Sequence, residues 1–354
     1  MGPMNKSQEA RAKALAKLKQ TKEQPQDTKD LIKDLLDGKI AALSRGITLI
    51  ESKQAGHRKQ AREILDACLP YSGKAKRIGI TGVPGVGKSS FLEAFGMYLL
   101  KNYDQKIAVL AVDPSSQSSG GSILGDKTRM EELSMEEKVF IRPSPSASSL
   151  GGVARKTRET LLLCEAAGFD TIFIETVGVG QSETTVKNMV DFFLLLMLSG
   201  AGDELQGIKR GIMEMADALI VTKADGANLG PARRAASSYK SAMHLLAPTH
   251  RGWSPKVDIC SAHKKDNLDK VWNIIREFYD EGERLGFISE LRKKQNLSWF
   301  TQSVEDLFHE EIQAYPEVHE QFKTLQNEVA KDKTLAHDAA KQFLDFYKNF
   351  LAKN

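Results

Sequence analysis

Residues Gly82, Val83, Pro84, Gly85, Val86, Gly87, Lys88 and Ser89 follow the spacing G-x-x-x-x-G-K-[ST]. That pattern does chemistry only in one setting, where a strand ends, the loop turns and a helix begins. There, glycines let backbone N–H groups wrap a phosphate at the helix N-terminus. The run Arg77 to Thr81 reads as the strand and the residues from Ser90 onward as the helix. Lys88 then supplies a point charge to the outer phosphates, and the Ser89 hydroxyl is placed to ligate a magnesium ion.

A nucleotide's phosphate chain also needs acidic groups for the metal and a sensor for the last phosphate. An open parallel sheet places such groups at the carboxyl ends of its strands. Asp113 follows the apolar run Ile107 to Val112 and opens a Ser- and Gly-rich loop, Pro114 to Gly125, which Asp126 closes. Glu175 ends the run Thr171 to Glu175 and is followed by Thr-Val-Gly178-Val-Gly180-Gln181, so that the Gly178 N–H is a candidate donor to the terminal phosphate. Gln181 has two readings, orienting the attacking water or making a hydrogen bond within its own loop.

The identity of the base is read from Thr222-Lys223-Ala224-Asp225, directly after the run Ala218 to Val221. A carboxylate here can accept from both N1–H and the exocyclic amine of guanine, whereas adenine presents an acceptor at N1. The stem of Lys223 can lie over the base. Guanine is usually met by Asn-Lys-x-Asp; Thr222 replaces the carboxamide with a hydroxyl, which predicts a weaker tether for the loop. Ser261-Ala262, after the run Lys256 to Cys260, stands where a backbone N–H would meet guanine O6.

The elements that must hold these residues are visible in the same sequence. From Lys76 to about Ala262 short apolar runs alternate with helical stretches, the signature of a doubly wound, mostly parallel α/β sheet. Seven strands are predicted: Arg77 to Thr81, Ile107 to Val112, Val139 to Ile141, Thr171 to Glu175, Asp191 to Leu198, Ala218 to Thr222 and Lys256 to Cys260. Residues 1–30 are polar and read as a solvated arm. Residues 31–70 read as two amphipathic helices, residues 71–284 as the core, and residues 285–354 as a helical extension. In that extension Phe300, Val304, Leu307, Phe308 and Ile312 share one face, and Ala340, Phe343, Leu344, Tyr347 and Leu351 another. The stripes either cover their own core or form a homodimer seam.

Composition excludes several classes. The 50 basic and 46 acidic side chains are interspersed along 354 residues, so nucleic acid is not implied. Cys68, Cys164 and Cys260 are far apart and odd in number, giving neither a disulfide framework nor a C-x-x-C metal site. The apolar run Phe192 to Leu198 is far shorter than a membrane span, and the N-terminal residues lack a signal-like apolar region. The expectation is a protein of the cell interior that contacts no membrane.

Several longer blocks are specific. They are Gly82 to Ser89, Ala111 to Ser116, Gly120 to Met130, Arg142 to Pro145, Glu175 to Glu183 and Gly202 to Gly211. Together they closely resemble the MeaB/ArgK/MMAA family of methylmalonyl-CoA mutase-associated GTPases, from about Leu31 through the Ser-Ala segment. The resemblance implies a P-loop GTPase that uses GTP to gate loading and protection of an adenosylcobalamin-dependent acyl-CoA mutase. It places such a chain in the cytoplasm, or in the mitochondrial matrix of a eukaryote. It also implies roles: Lys88 and Ser89 on phosphate and Mg2+, Asp113, Asp126 and Glu175 around the metal and water, Lys223 and Asp225 on guanine. Asp203, Glu204, Gln206, Lys209 and Arg210 fall in the family's additional mobile loop. Two rival readings are a metal-insertion GTPase and an ATP-dependent kinase linked to transport. The first needs a His-rich or Cys-rich ligand tract, whereas the seven histidines are dispersed; Asp225 speaks against the second.

Overall fold

A computed structural model describes residues 27–52, 54–112, 130–143, 150–176, 182–200, 210–246, 248, 250 and 252–353. The chain divides into two compact units, Met1–Ile288 and Ser289–Asn354.

The first unit is built on a seven-stranded sheet: β1 (Lys76–Gly82), β2 (Ile107–Val112), β3 (Val139–Arg142), β4 (Thr171–Thr176), β5 (Phe192–Met197), β6 (Ala218–Val221) and β7 (Lys256–Ile259). Their order across the sheet is β3-β2-β4-β1-β5-β6-β7, and every pairing is parallel. The seven expected runs are these strands, with no end moved by more than one residue. Such strands read as near-continuous apolar runs because helices cover both faces.

Period-two alternation decides which face each side chain serves. Ile78 and Ile80 of β1, Phe173 of β4, and Phe192, Leu194 and Leu196 of β5 point to one side. They pack there with Phe91 and Phe95 of α4 (Lys88–Tyr103) and with Trp272, Ile275 and Phe278 of α10 (Leu268–Leu285). Ile172, Ile174 and Phe193 point to the other side. There they meet the N-terminal helices α1 (Thr28–Leu36), α2 (Ile40–Glu51) and α3 (Ala55–Cys68) and the long α6 (Leu150–Ala166). The short α5 (Glu131–Ser134) and α7 (Ser182–Lys187) connect strands. Beyond β5, α8 (Arg210–Met215) and α9 (Leu229–His244) cover β6 with Ile212, Met213, Tyr239 and Met243. Gly79 of β1 leaves no room for a side chain: a Cβ there would meet Phe193 of β5 at 2.7 Å and Val186 of α7 at 3.0 Å.

Two expectations are corrected. Among the described residues, the stretch expected to form two N-terminal helices forms three. The run from Leu31 to Ile50 is broken at Gly38, whose φ of +78° places it in the left-handed region and ends α1. The second unit likewise has three helices where two stripes were expected: α11, which starts in the first unit (Phe287–Ala314), α12 (Pro316–Ala330) and α13 (Ala336–Lys353). Pro316 restarts the chain as a helix first-turn residue. Val318 and Leu325 of α12 join Ile312, Ala339, Phe343 and Tyr347 in the unit's own core, with Ala339 in the place expected of Ala340. Phe300, at 68 % exposure, Val304, Leu307 and Phe308 stay outside it.

Candidate nucleotide site

At the carboxyl edge of the sheet β1 gives way to the loop, and the loop to α4. Gly82 is held there by a close approach, since a Cβ would stand 2.4 Å from the Leu196 carbonyl oxygen of β5. Gly85 and Gly87 adopt φ of +77° and +89°, so the turn has the left-handed steps that glycine alone takes without strain. Gly87 is the N-cap of α4 and brings no side-chain cap. The first amides of α4 are thus left for another acceptor.

Lys88 donates from Nζ to the Gly82 carbonyl at 2.9 Å, folding its side chain back over the loop. Burial pulls its pKa below the ordinary lysine value, while Glu175 and Glu183 oppose that shift. Ser89 donates to Glu175 Oε1 at 3.4 Å. Glu175, near the end of β4, is 7 % exposed, and Glu183 at the start of α7 is 1 % exposed. At the same edge Thr176 donates its hydroxyl to Thr81 Oγ1 at 2.9 Å, joining β4 to β1 just before the loop.

The second wall is the segment after β6. The Thr222 hydroxyl donates to Val86 O at 2.8 Å and to Met197 O at 3.3 Å. The tether expected to be weak is therefore made by the threonine itself. Lys223, at a left-handed φ of +54°, donates from Nζ to Gly85 O at 2.8 Å, so its stem crosses from this segment to the phosphate loop. Ala224 N–H donates to Cys260 O at 3.0 Å, bringing the segment after β6 against the one after β7. Ser261, fully buried, donates its hydroxyl to the Asp225 carboxylate and accepts from Lys264 N–H at 3.0 Å. The Ser261 N–H is committed to Asp266 O at 3.1 Å, so it is not itself a donor toward a base.

The described residues thus bring together Gly82 to Ser90, Glu175, Thr222, Lys223, Asp225, Ser261 and Ala262. Asp113, Asp126, Gly178 and Gln181 lie outside the described residues, as do Asp203, Glu204, Gln206 and Lys209 and the side chain of Arg210. Ser89 and Glu175 offer a hydroxyl and a carboxylate, hard oxygen donors of the kind Mg2+ takes. Among the described residues no three His, Cys, Asp or Glu side chains are grouped to hold a metal, and no helix is long and apolar enough to cross a membrane.

Four contributors escaped the sequence reading. Glu183 had one signal, an acid opening the helix after Glu175. Thr81 and Thr176 had none, because only the register of β1 against β4 brings them together. Asn228, which accepts from Ser199 Oγ and donates to Lys223 O at 2.6 Å, reads in sequence only as a helix-cap residue.

Comparison with known proteins identifies the family. Residues 43–317 match the family described as Methylmalonyl Co-A mutase-associated GTPase MeaB. The chain is similar to a "Putative GTPase" of Caulobacter vibrioides, 49% identical over 310 residues, covering 88% of this chain and 94% of that protein. It is 47% identical over 275 residues to "GTPase ArgK" of Escherichia coli, with 78% and 83% covered. It is 41% identical over 325 residues to "Methylmalonic aciduria type A homolog, mitochondrial" of Mus musculus, with 89% and 78% covered. Among solved structures, one titled "Crystal structure of LAO/AO transport system kinase" superposes with a TM-score of 0.74 at 35% identity, covering 92% of this chain and all of that one.

Proposed function

The chain belongs to the methylmalonyl-CoA mutase-associated GTPase family, and from that premise we propose that it binds and hydrolyses GTP to gate the loading and protection of adenosylcobalamin in an acyl-CoA mutase. The observation that carries the nucleotide half is the pairing of Ser261 with Asp225 beside a Lys223 anchored on the phosphate loop. A buried hydroxyl donating to one carboxylate oxygen fixes the rotamer and leaves the other edge to accept from guanine N1–H and the 2-amino group. The Ala262 amide is the matching donor for O6. Adenine would leave that carboxylate facing its N1 lone pair, an uncompensated buried acceptor.

At the phosphate end, the amides after Gly85 and Gly87 and the α4 N-terminus receive the phosphate chain. Lys88 exchanges the Gly82 carbonyl for phosphate oxygens. Burial lowers its pKa, and a phosphate anion beside it would act as Glu175 and Glu183 do, favouring the charged ammonium. A Mg2+ ion held by Ser89 and Glu175, with Asp113 and Asp126 from the neighbouring segment, would neutralise charge developing on the leaving phosphates. Glu175 orients water at the end of β4, and Gln181 is a second candidate for that task.

The mutase half rests on the family. A polar, glycine-flanked segment from Gly200 to Gly211, with Lys209 and Arg210 at its end, is the candidate for coupling nucleotide state to the partner. The exposed stripe Leu297, Phe300, Val304 and Leu307 of α11 supports a homodimer. We place the protein in the cytoplasm, or in the mitochondrial matrix if its source is eukaryotic. The test is a single-turnover GTP assay with and without a cobalamin-dependent acyl-CoA mutase. Acceleration by the mutase, together with mutase affinity that differs between GTP and GDP, is expected. GTP turnover indifferent to the mutase overturns the chaperone reading and leaves a GTPase.

A further inference from the structure

Asn228 is the N-cap of α9, yet its side chain caps nothing. Asn is among the best N-cap residues because its oxygen can accept from the free amides of the first turn. Here the carboxamide is committed to two other partners. Nδ2 donates to the Lys223 carbonyl at 2.6 Å, and Oδ1 accepts from the Ser199 hydroxyl. The orientation is fixed by chemistry: a carbonyl can only accept, so the nitrogen must face Lys223 and the oxygen must face Ser199.

The residue it holds is under strain. Lys223 is not glycine, and its φ of +54° is sparsely populated for a side chain of this length. Such a conformation persists only when its surroundings fix it. Two contacts do so, Nζ on Gly85 O from one side and Asn228 on the backbone carbonyl from the other. The Lys223 carbonyl is two residues before Asp225, whose own carbonyl accepts the Asn228 N–H at 2.9 Å. Asn228 therefore closes a ring around the segment that carries the base-recognising carboxylate. It also ties that ring to Ser199, the residue before Gly200 at the exit of β5.

We propose that Asn228 is a positioning residue for guanine recognition, its carboxamide locking the strained Lys223 backbone so that Asp225 meets the base edge, with Ser199 orienting the carboxamide. The proposal rests on the guanine-nucleotide reading above and adds to it a residue outside the recognised motifs.

The test uses the full chain and the variants Asn228→Ser, Asn228→Ala and Ser199→Ala. GTP, GDP and inosine triphosphate, which lacks the 2-amino group, are titrated calorimetrically, and the melting temperature is measured for each. Serine caps helices as well as asparagine does but is too short to bridge Lys223 and Ser199. The expected result is that Asn228→Ser keeps the wild-type melting temperature while losing about tenfold in affinity for GTP and GDP. KM should rise in step, with a smaller fall in kcat. The preference for GTP over inosine triphosphate should shrink, because a loosened Asp225 no longer gains from the second donor. Ser199→Ala should move in the same direction by less. Wild-type affinity in Asn228→Ser, or equal losses for GTP and inosine triphosphate, overturns the proposal. A wild-type protein that binds no guanine nucleotide overturns the parent reading and this one with it, whereas intact wild-type binding with unchanged variants overturns only this one.

Discussion

Thr222 and Val86 lie 136 residues apart in sequence, and the threonine hydroxyl donates to the valine carbonyl at 2.8 Å, joining the base-recognition segment to the phosphate loop inside the protein. The same hydroxyl reaches Met197 O at 3.3 Å, so one side chain serves two buried acceptors. Thr222→Val keeps the shape and removes the donor. Met197 O keeps the Thr222 backbone N–H at 2.8 Å, so the expected cost is about 1–3 kcal/mol of stability from the Val86 carbonyl that loses its donor, with weaker binding of GTP and GDP alike. Thermal unfolding and nucleotide titration check it; an unchanged melting temperature removes Thr222 from the tether.

Asp225→Asn should exchange base preference. The asparagine oxygen still accepts from Ser261, which turns the amide nitrogen toward the base. A donor at that edge repels guanine's N1–H and amine and matches the C2 carbonyl of xanthine. Affinity for GTP should fall at least about a hundredfold, and xanthosine triphosphate should bind in its place, since a mispaired buried group loses its full hydrogen-bond energy. Retained GTP affinity would show that Asp225 does not read the base.

What the sequence made legible follows from the range of each interaction. The glycine spacing of the phosphate loop, the strand runs and Thr222 to Asp225 are local patterns, and local patterns carry their own geometry. The break at Gly38 is local too, yet the apolar residues on either side of it happen to continue one helical period, which hid it. Thr81 with Thr176, and Asn228 with Ser199, depend on which strands become neighbours and in what register. A residue such as Asn228 has a satisfactory local role as a cap, so nothing in its own neighbourhood announces the other one. The α11 stripe shows the reverse failure: Phe300, Val304, Leu307 and Ile312 have one period, but only Ile312 finds a partner in the unit's core.

Lys88→Ala and Glu175→Gln should differ in kind. Lys88 acts on phosphate in the ground state as well as later, so its removal should lower nucleotide affinity and turnover together, each by at least about tenfold. Glu175→Gln keeps an acceptor for Ser89 and removes only the charge. Nucleotide affinity should then stay within about threefold while hydrolysis falls by at least about tenfold. Equal losses of affinity in both variants would refute the division of roles between them.

Glu159 offers a pH test away from the nucleotide. It lies on α6, and burial raises its carboxyl pKa from 4.5 to about 7, against the opposing pull of Arg155 and Lys156. Below pH 4.5 the group is protonated in both folded and unfolded chains and contributes no difference. Between pH 4.5 and 7 the folded chain holds a proton that the unfolded chain has released, so stability falls as pH rises. Above about 7 the loss is complete and the curve is flat. Glu159→Gln is neutral throughout and should therefore match the wild type near pH 4.5 and exceed it by about 1–3 kcal/mol at pH 8, the upper figure being reduced by the side chain's partial access to solvent. Urea unfolding at the two pH values measures the difference directly. A stability gain of the same size at both would mean that the carboxylate keeps its ordinary pKa in the folded protein and that the substitution acts through packing alone.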